Sequence, residues 1–91
     1  DAGSKALSSD TLSTGGYGYL VQYPDAVIYA LSEEHGFVDF SACATQPAIG
    51  EQVSVVPNHC CVANNLFNEA IGVRDGLIEA QWSILARGLM Q

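Results

Sequence analysis

The residues best suited to chemistry lie at positions 59–61. His59 supplies an imidazole and Cys61 a thiol, directly after the apolar run Val55-Val56-Pro57. In an extended chain alternate side chains project to the same face, so His59 and Cys61 could bind one ion together while Cys60 points away. Imidazole nitrogen and thiolate sulfur suit zinc better than the harder divalent ions do. An ion bound here would have two protein ligands and open positions for water and substrate, as in catalytic zinc sites, but the spacing alone is a weak signal.

Each of these residues also has an interpretation that involves no metal. His59 could be an ordinary strand histidine, and the cysteines could be buried thiols that pack as small hydrophobic groups. The adjacent Cys60 and Cys61 could instead form a redox pair. His35, which follows two glutamates, could be a catalytic residue that contacts the same site, or a turn histidine beside solvated carboxylates. Cys43 is predicted to be a buried thiol.

The composition indicates one small domain that lies beside something larger. The chain has 91 residues, of which 48% are hydrophobic and only 14% are charged. This length allows one modest core and no second domain. So few charges suggest that another domain or subunit covers part of the surface.

The charge distribution argues against nucleic acid and membrane as partners. The net charge is −7, and the three cations, Lys5, Arg74 and Arg87, are scattered along the chain. Binding to a phosphate backbone needs clustered lysines and arginines. No apolar run reaches the length of about 18 residues that a membrane-spanning helix needs.

The cysteines favour a reducing compartment, and we expect a cytoplasmic location. There are three of them, two adjacent, which does not suit a disulfide framework. No signal peptide or transit-like start is visible. The chain begins at Asp1 without a methionine, which favours a piece of a longer polypeptide.

Apolar runs separated by turn residues predict a mainly β fold. Ala26–Leu31 reads as a strand buried on both faces, and Phe37–Phe40 and Gln52–Val56 read as further strands. The segment Cys61–Asn68 is predicted to form one helical turn. The glycine-rich segment Thr14–Gly18 is predicted to be a flexible loop, because no strand and helix flank it as in a nucleotide-binding motif.

The clearest local structure is a hairpin near the C-terminus. Ala70–Arg74 and Leu77–Trp82 flank Asp75-Gly76, a two-residue loop typical of a type I′ turn. Pairing outward from the turn sets Arg74 opposite Leu77, Val73 opposite Ile78 and Ile71 opposite Ala80. The predicted core face carries Ile71, Val73, Ile78, Ala80 and Trp82, and the predicted wet face carries Arg74, Glu79 and Gln81, with Arg74 diagonal to Glu79. About six short strands with little helix then imply a small antiparallel β-barrel or sandwich.

A series of motifs along the whole chain resembles a known family. In order they are Asp1-Ala-Gly-Ser-Lys-Ala-Leu-Ser-Ser-Asp10, Ser32-Glu-Glu-His-Gly36, Val56-Pro-Asn-His-Cys-Cys61, Asn65-Leu66, Val73-Arg-Asp-Gly76, Trp82 and Ala86-Arg-Gly88. Their order and spacing resemble the C-terminal domain of the D-threonine aldolase and D-serine dehydratase family. Residues 1–91 would then be a single β domain, the C-terminal part of a larger enzyme.

The resemblance implies a cofactor, a metal and a partner domain. Enzymes of this family are of fold type III, with an N-terminal barrel, absent from this chain, that binds pyridoxal 5′-phosphate through a lysine. Lys5, the only lysine here, is then a structural residue or a contact at the domain junction, and Arg87 is a docking contact or a terminal cation. The family's metal ligands match His59 and Cys61, with zinc preferred and manganese or magnesium as alternatives. A homodimer would also suit the family.

The resemblance further implies a lyase that acts on small D-3-hydroxy amino acids. The family's aldolases tend to have aspartate at the position of Cys61, whereas its dehydratases have cysteine, so the ligand type is the local clue between cleavage and elimination. The isolated chain is expected to be inactive, because the cofactor-binding half is missing. The alternative function is a non-catalytic β-barrel binding or interaction module.

Overall fold

The computed structural model describes residues 1–13 and 15–87 as six short strands and two short helices. Thr14, the first residue of the predicted flexible loop, and Gly88, the last residue of the Ala-Arg-Gly motif, lie outside the described residues. The elements are α1 (Ser4–Leu7), β1 (Gly18–Leu20), β2 (Val27–Leu31), β3 (Gly36–Asp39), β4 (Val55–Pro57), α2 (Cys60–Asn65), β5 (Glu69–Arg74) and β6 (Leu77–Ser83). Neither described helix reaches the length and apolarity that crossing a lipid bilayer requires.

The prediction of a mainly β fold with six antiparallel strands is confirmed. The strands pair as three two-stranded sheets, β1 with β4, β2 with β3 and β5 with β6. Across the described residues they do not close into a barrel, so the barrel form of the prediction is wrong. The ladder between β1 and β4 spans only three residues, which leaves little edge on which to continue the sheet.

The individual strands lie close to their predicted positions but are less buried. β2 is one residue shorter than predicted, and only its Ile28 is buried, whereas Tyr29 is 60% exposed. The prediction that this strand is buried on both faces is therefore wrong, because no second layer of the described chain covers its other face. Gln52 lies in a loop, and β4 begins at Val55. The sequence reasoning missed α1 and β1.

A small core joins the N-terminal helix to the central strands. Its buried members are Leu7 from α1, Leu20 from β1 and Ile28 from β2. Half-buried side chains surround them, and among these the rings of Tyr23 and Phe40 meet edge to face with centroids 5.4 Å apart. The core therefore holds the first seven residues against the middle of the chain.

The turn of the predicted C-terminal hairpin is confirmed. Asp75 and Gly76 have φ values of 51° and 77°, as a type I′ turn requires of both central residues. Arg74 pairs with Leu77, and the guanidinium of Arg74 lies 2.9 Å from the carboxylate of Glu79, the predicted diagonal contact.

Beyond this first part the hairpin differs from the prediction. A bulge at Glu79, between the pairs Val73–Ile78 and Gly72–Ala80, shifts the register, so that Ile71 pairs with Gln81 and not with Ala80. The indole of Trp82 takes up the space that a side chain at Gly72 would need, since a Cβ there would lie 2.8 Å from it. The prediction of one core face is therefore wrong: Ala80 and Trp82 lie opposite Gly72 and Ala70, on the other face from Val73 and Ile78. Trp82 is 57% exposed.

The first residues of the chain pack against the turn between β2 and β3. The backbone N–H of Ser4 donates to the carbonyl of Ser32 at 2.8 Å. A Cβ on Gly3 would lie 2.3 Å from the carbonyl oxygen of Glu33, so only glycine fits this backbone contact. Lys5 adds an ion pair with Glu34 at 2.6 Å, and the hydrogen bond from Lys5 lowers the pKa of that carboxyl.

This close approach generates a stability prediction. Gly3→Ala should lower the free energy of unfolding by about 1–3 kcal/mol, because the added methyl group forces two backbone segments apart. The matched control is Ser4→Ala, which leaves the neighbouring backbone hydrogen bond in place and should cost no more than about 0.5 kcal/mol. Urea denaturation compares the two variants. Equal stabilities would mean that this contact does not hold the N-terminal segment.

Candidate metal-binding site

His59 and Cys61 lie at the junction between β4 and α2. β4 ends at Pro57, and His59 is the residue that precedes the helix, with φ −133° and ψ 108°. Cys60 and Cys61 are the first two residues of α2. The prediction that residues 59 to 61 form one extended strand is therefore wrong, and so is the argument from alternation. In a helix successive side chains are about 100° apart, so neither cysteine simply faces away from His59.

The strand ends here because Asn58 is committed to contacts with two other loops. Its side-chain amide donates to the carbonyl of Asp10 and to the carbonyl of Gly16, both at 2.9 Å. Pro57, just before it, has no N–H with which to extend the ladder. These two residues turn the chain from β4 into α2 and bring His59 to the loop after α1.

Asp10 contacts His59, and the sequence analysis did not single it out. Its carboxylate oxygen Oδ2 lies 2.6 Å from Nδ1 of His59, across 49 positions of sequence. Both side chains are exposed. The only signal in the sequence is that Asp10 closes the first of the motifs that carry the family resemblance, and no spacing rule links it to His59.

Cys61 lines an open cavity of about 280 Å³ beside α2. The cavity is lined by Cys61, Asn64, Asn65, Ile84, Ala86 and Arg87, and Cys60 is not part of the lining. This places one cation, Arg87, beside the candidate thiol ligand. The two adjacent cysteines therefore differ in their surroundings, since only Cys61 lines the cavity. This difference does not come from the predicted strand alternation.

The other candidate residues lie apart from this junction or in structural contacts. His35 is exposed in the turn between β2 and β3, where its backbone bonds to Ser32 in both directions. Cys43 is half-buried and not fully buried as predicted. Lys5 is exposed and bound to Glu33 and Glu34, whose hydrogen bonds raise its pKa.

The donors at the junction suit an open zinc site and not a closed structural one. Within residues 1–13 and 15–87, no three or more histidine, cysteine or acidic side chains group closely enough to hold a metal ion. His59 and Cys61 nevertheless offer one nitrogen and one sulfur donor, both exposed. An ion bound there would complete its coordination from water, substrate or another domain.

Comparison with protein families finds one match over most of the chain. The family described as "Putative serine dehydratase domain" matches residues 1–73. The matched region includes α1, Asp10, the β4–α2 junction and β5 as far as Val73. It ends within the C-terminal hairpin.

Comparison with curated proteins finds two kinds of relative. An uncharacterized protein of Mycobacterium tuberculosis is 40% identical over 89 residues, which are 97% of this chain and 67% of that protein. A D-threonine aldolase of an Arthrobacter species is 33% identical, and a 3-hydroxy-D-aspartate aldolase of Paracoccus denitrificans is 32% identical, each over 88 residues. These alignments cover 97% of this chain but only 22% and 21% of the two aldolases.

The exposure of the thiols generates a prediction that also tests the redox alternative. In the metal-free protein, brief alkylation should modify Cys60 and Cys61 well before the half-buried Cys43, as peptide-level mass spectrometry can measure. Mild oxidation should not join Cys60 to Cys61, because adjacent cysteines seldom meet disulfide geometry. Rapid loss of these two thiols with formation of one vicinal disulfide would instead support a redox pair.

Proposed function

The chain belongs to this serine dehydratase domain family, and we propose that it is the metal-bearing C-terminal domain of a pyridoxal-phosphate-dependent lyase that acts on D-3-hydroxy amino acids. The observation that carries the proposal is the imidazole of His59, held by Asp10 and followed two residues later by the thiol of Cys61. Two curated relatives that align over nearly the whole chain are named as aldolases of D-3-hydroxy amino acids. The free cysteines favour a cytoplasmic enzyme.

The dimensions of the chain support a place within a larger protein. A monomer of 9.6 kDa typically exposes about 5,100 Å², whereas this chain exposes 6,924 Å². The excess of about 1,800 Å² is roughly twice what one partner buries in a standard interface. The radius of gyration is 14.4 Å, against about 12 Å expected for a compact chain of this length.

The exposed apolar side chains indicate where such a partner would pack. Trp82 is 57% exposed, Ile78 71% and Leu77 73%, all on the C-terminal hairpin. Apolar surface of this kind is rare on an isolated small protein. We assign this exposed apolar surface of the hairpin to contact with the N-terminal barrel domain, which would bury it.

The proposed metal ligands are His59 Nε2 and the thiolate of Cys61. Zinc is the preferred ion, because a thiolate is a poor ligand for magnesium or manganese. When bound, zinc would supply Lewis acidity beside the β-hydroxyl group of the substrate, while pyridoxal phosphate in the barrel would supply the electron sink. The role of this chain would be to position the two ligand side chains and to leave the other coordination positions of the ion open.

The two lyase reactions differ in what they require of this site. In elimination the β-hydroxyl group leaves, whereas in aldol cleavage the same hydroxyl loses its proton and the bond between Cα and Cβ breaks. The cysteine at position 61 favours elimination, by resemblance to the dehydratases. The names of the curated relatives favour cleavage, which makes it the second candidate.

A non-catalytic role is the alternative outside enzymology, and one relative favours it. The chain spans 67% of the mycobacterial protein, which leaves that protein a remainder of about 44 residues. An eight-stranded barrel needs about 250 residues, so that relative has no room for one. A domain of this family can therefore occur without a barrel in its own chain. Stoichiometric zinc and lyase activity in the protein that carries this chain would separate the two functions.

The metal proposal predicts unequal effects of the two adjacent cysteines. In the complete protein, Cys61→Ala should remove zinc and activity but leave pyridoxal phosphate bound, whereas Cys60→Ala should cost little. Cys61→Asp should weaken zinc binding and shift the preference toward manganese or magnesium, because carboxylate is a harder ligand. Metal analysis and assays with D-serine and D-threonine measure all three. Loss of zinc in Cys60→Ala but not in Cys61→Ala would identify Cys60 as the ligand and contradict the proposed role of Cys61.

The missing partner domain generates a second prediction. The purified 91-residue chain should show no pyridoxal absorbance when mixed with the cofactor and no turnover of D-serine or D-threonine. Its only lysine, Lys5, is committed to Glu33 and Glu34. The matched control is the complete protein under the same conditions. Turnover by the chain alone would contradict the proposed division between the two domains.

A further inference from the structure

We propose that Asp10 is a positioning residue that fixes the tautomer and orientation of His59, so that Nε2 of the imidazole is the atom presented to a cation. This inference rests on the proposed metal role of His59. It assigns a role to a residue far from the ligands in sequence. The juxtaposition that carries it is the Asp10–His59 contact together with the clamp that Asn58 forms on the loop of Asp10.

The contact itself determines which ring nitrogen is free. An ionised carboxylate can only accept hydrogen bonds, so at 2.6 Å from Asp10 Oδ2 the Nδ1 atom of His59 must be the donor. A neutral imidazole carries a hydrogen on one nitrogen only, which leaves a lone pair on Nε2. Histidines that bind metals commonly donate their other N–H to a carboxylate in this way.

The backbone of Asp10 is fixed by the residue next to His59. Asn58 uses its amide group to donate to the carbonyls of Asp10 and Gly16, each at 2.9 Å. The backbone N–H of Asp10 donates to the hydroxyl of Ser8 at 3.2 Å. Since Asn58 and His59 are adjacent, the clamp sets the distance between the carboxylate and the imidazole.

The exposure of the pair argues that its role is orientation and not stability. The side chains of His59 and Asp10 are 45% and 64% exposed. Ion pairs so exposed contribute at most about 1 kcal/mol to folding. A contribution to folding alone therefore gives little reason for Asn58 to hold the loop of Asp10. Orienting the imidazole of His59 toward a metal ion does give such a reason.

The test uses the complete protein with histidine labelled by ¹⁵N and three variants. Asp10→Ala removes the acceptor, Asp10→Glu restores it on a longer side chain, and Glu33→Ala removes an exposed carboxylate bound to Lys5 as the matched control. Chelator competition measures the zinc dissociation constant. The ¹⁵N shifts of His59 in the metal-free protein report its tautomer, and circular dichroism checks that each variant folds.

We expect Asp10→Ala to weaken zinc binding by about 10–100-fold and to abolish the preference for hydrogen on Nδ1. Asp10→Glu should recover part of both, and Glu33→Ala should stay within about twofold of the wild type. Zinc affinity that falls with His59→Ala but not with Asp10→Ala would overturn this inference and leave the metal site standing. Zinc affinity that His59→Ala does not change would overturn the metal site, and with it the role of Asp10.

Discussion

The contact between the first ten residues and the β4–α2 junction determines how Asp10 and His59 meet. Leu7 anchors α1 in the core, and the loop that follows carries Asp10 to His59. Asn58 closes the arrangement by holding the carbonyls of two loops at once. Without this contact His59 would be an exposed imidazole with no fixed direction. The orientation of His59 therefore depends on the docking of the N-terminal segment more than on any of the three sheets.

The sequence predicted those parts of the fold that depend on neighbouring residues. Asp75-Gly76 predicts a type I′ turn, because few residues accept two positive φ values in succession. The contact between Arg74 and Glu79 follows from the strand pairing next to that turn. The bulge at Glu79, which leaves the indole of Trp82 over Gly72, was not predictable from the turn residues. The Asp10–His59 contact spans 49 positions, and no local pattern encodes it.

The errors about burial have one physical origin. Ala26–Leu31 and the hairpin have the apolar patterns of buried strands, yet Tyr29 and Ile78 are 60% and 71% exposed. Patterns of hydrophobic residues report burial in the whole assembly, and this chain buries few side chains by itself. The same excess of apolar surface that made the burial predictions wrong supports a partner domain that covers it. Family membership, and the small share that the chain makes up of the named aldolases, support the same view.

X-ray absorption spectroscopy of the zinc-loaded complete protein would test whether His59 and Cys61 bind one zinc ion with open coordination positions. We expect one sulfur at about 2.3 Å and one imidazole nitrogen at about 2.0–2.1 Å, with the remaining ligands being light atoms such as water. The sulfur shell should disappear in Cys61→Ala and persist in Cys60→Ala. A first shell of oxygen and nitrogen alone in the wild type, or four sulfurs, would contradict zinc binding by His59 and Cys61.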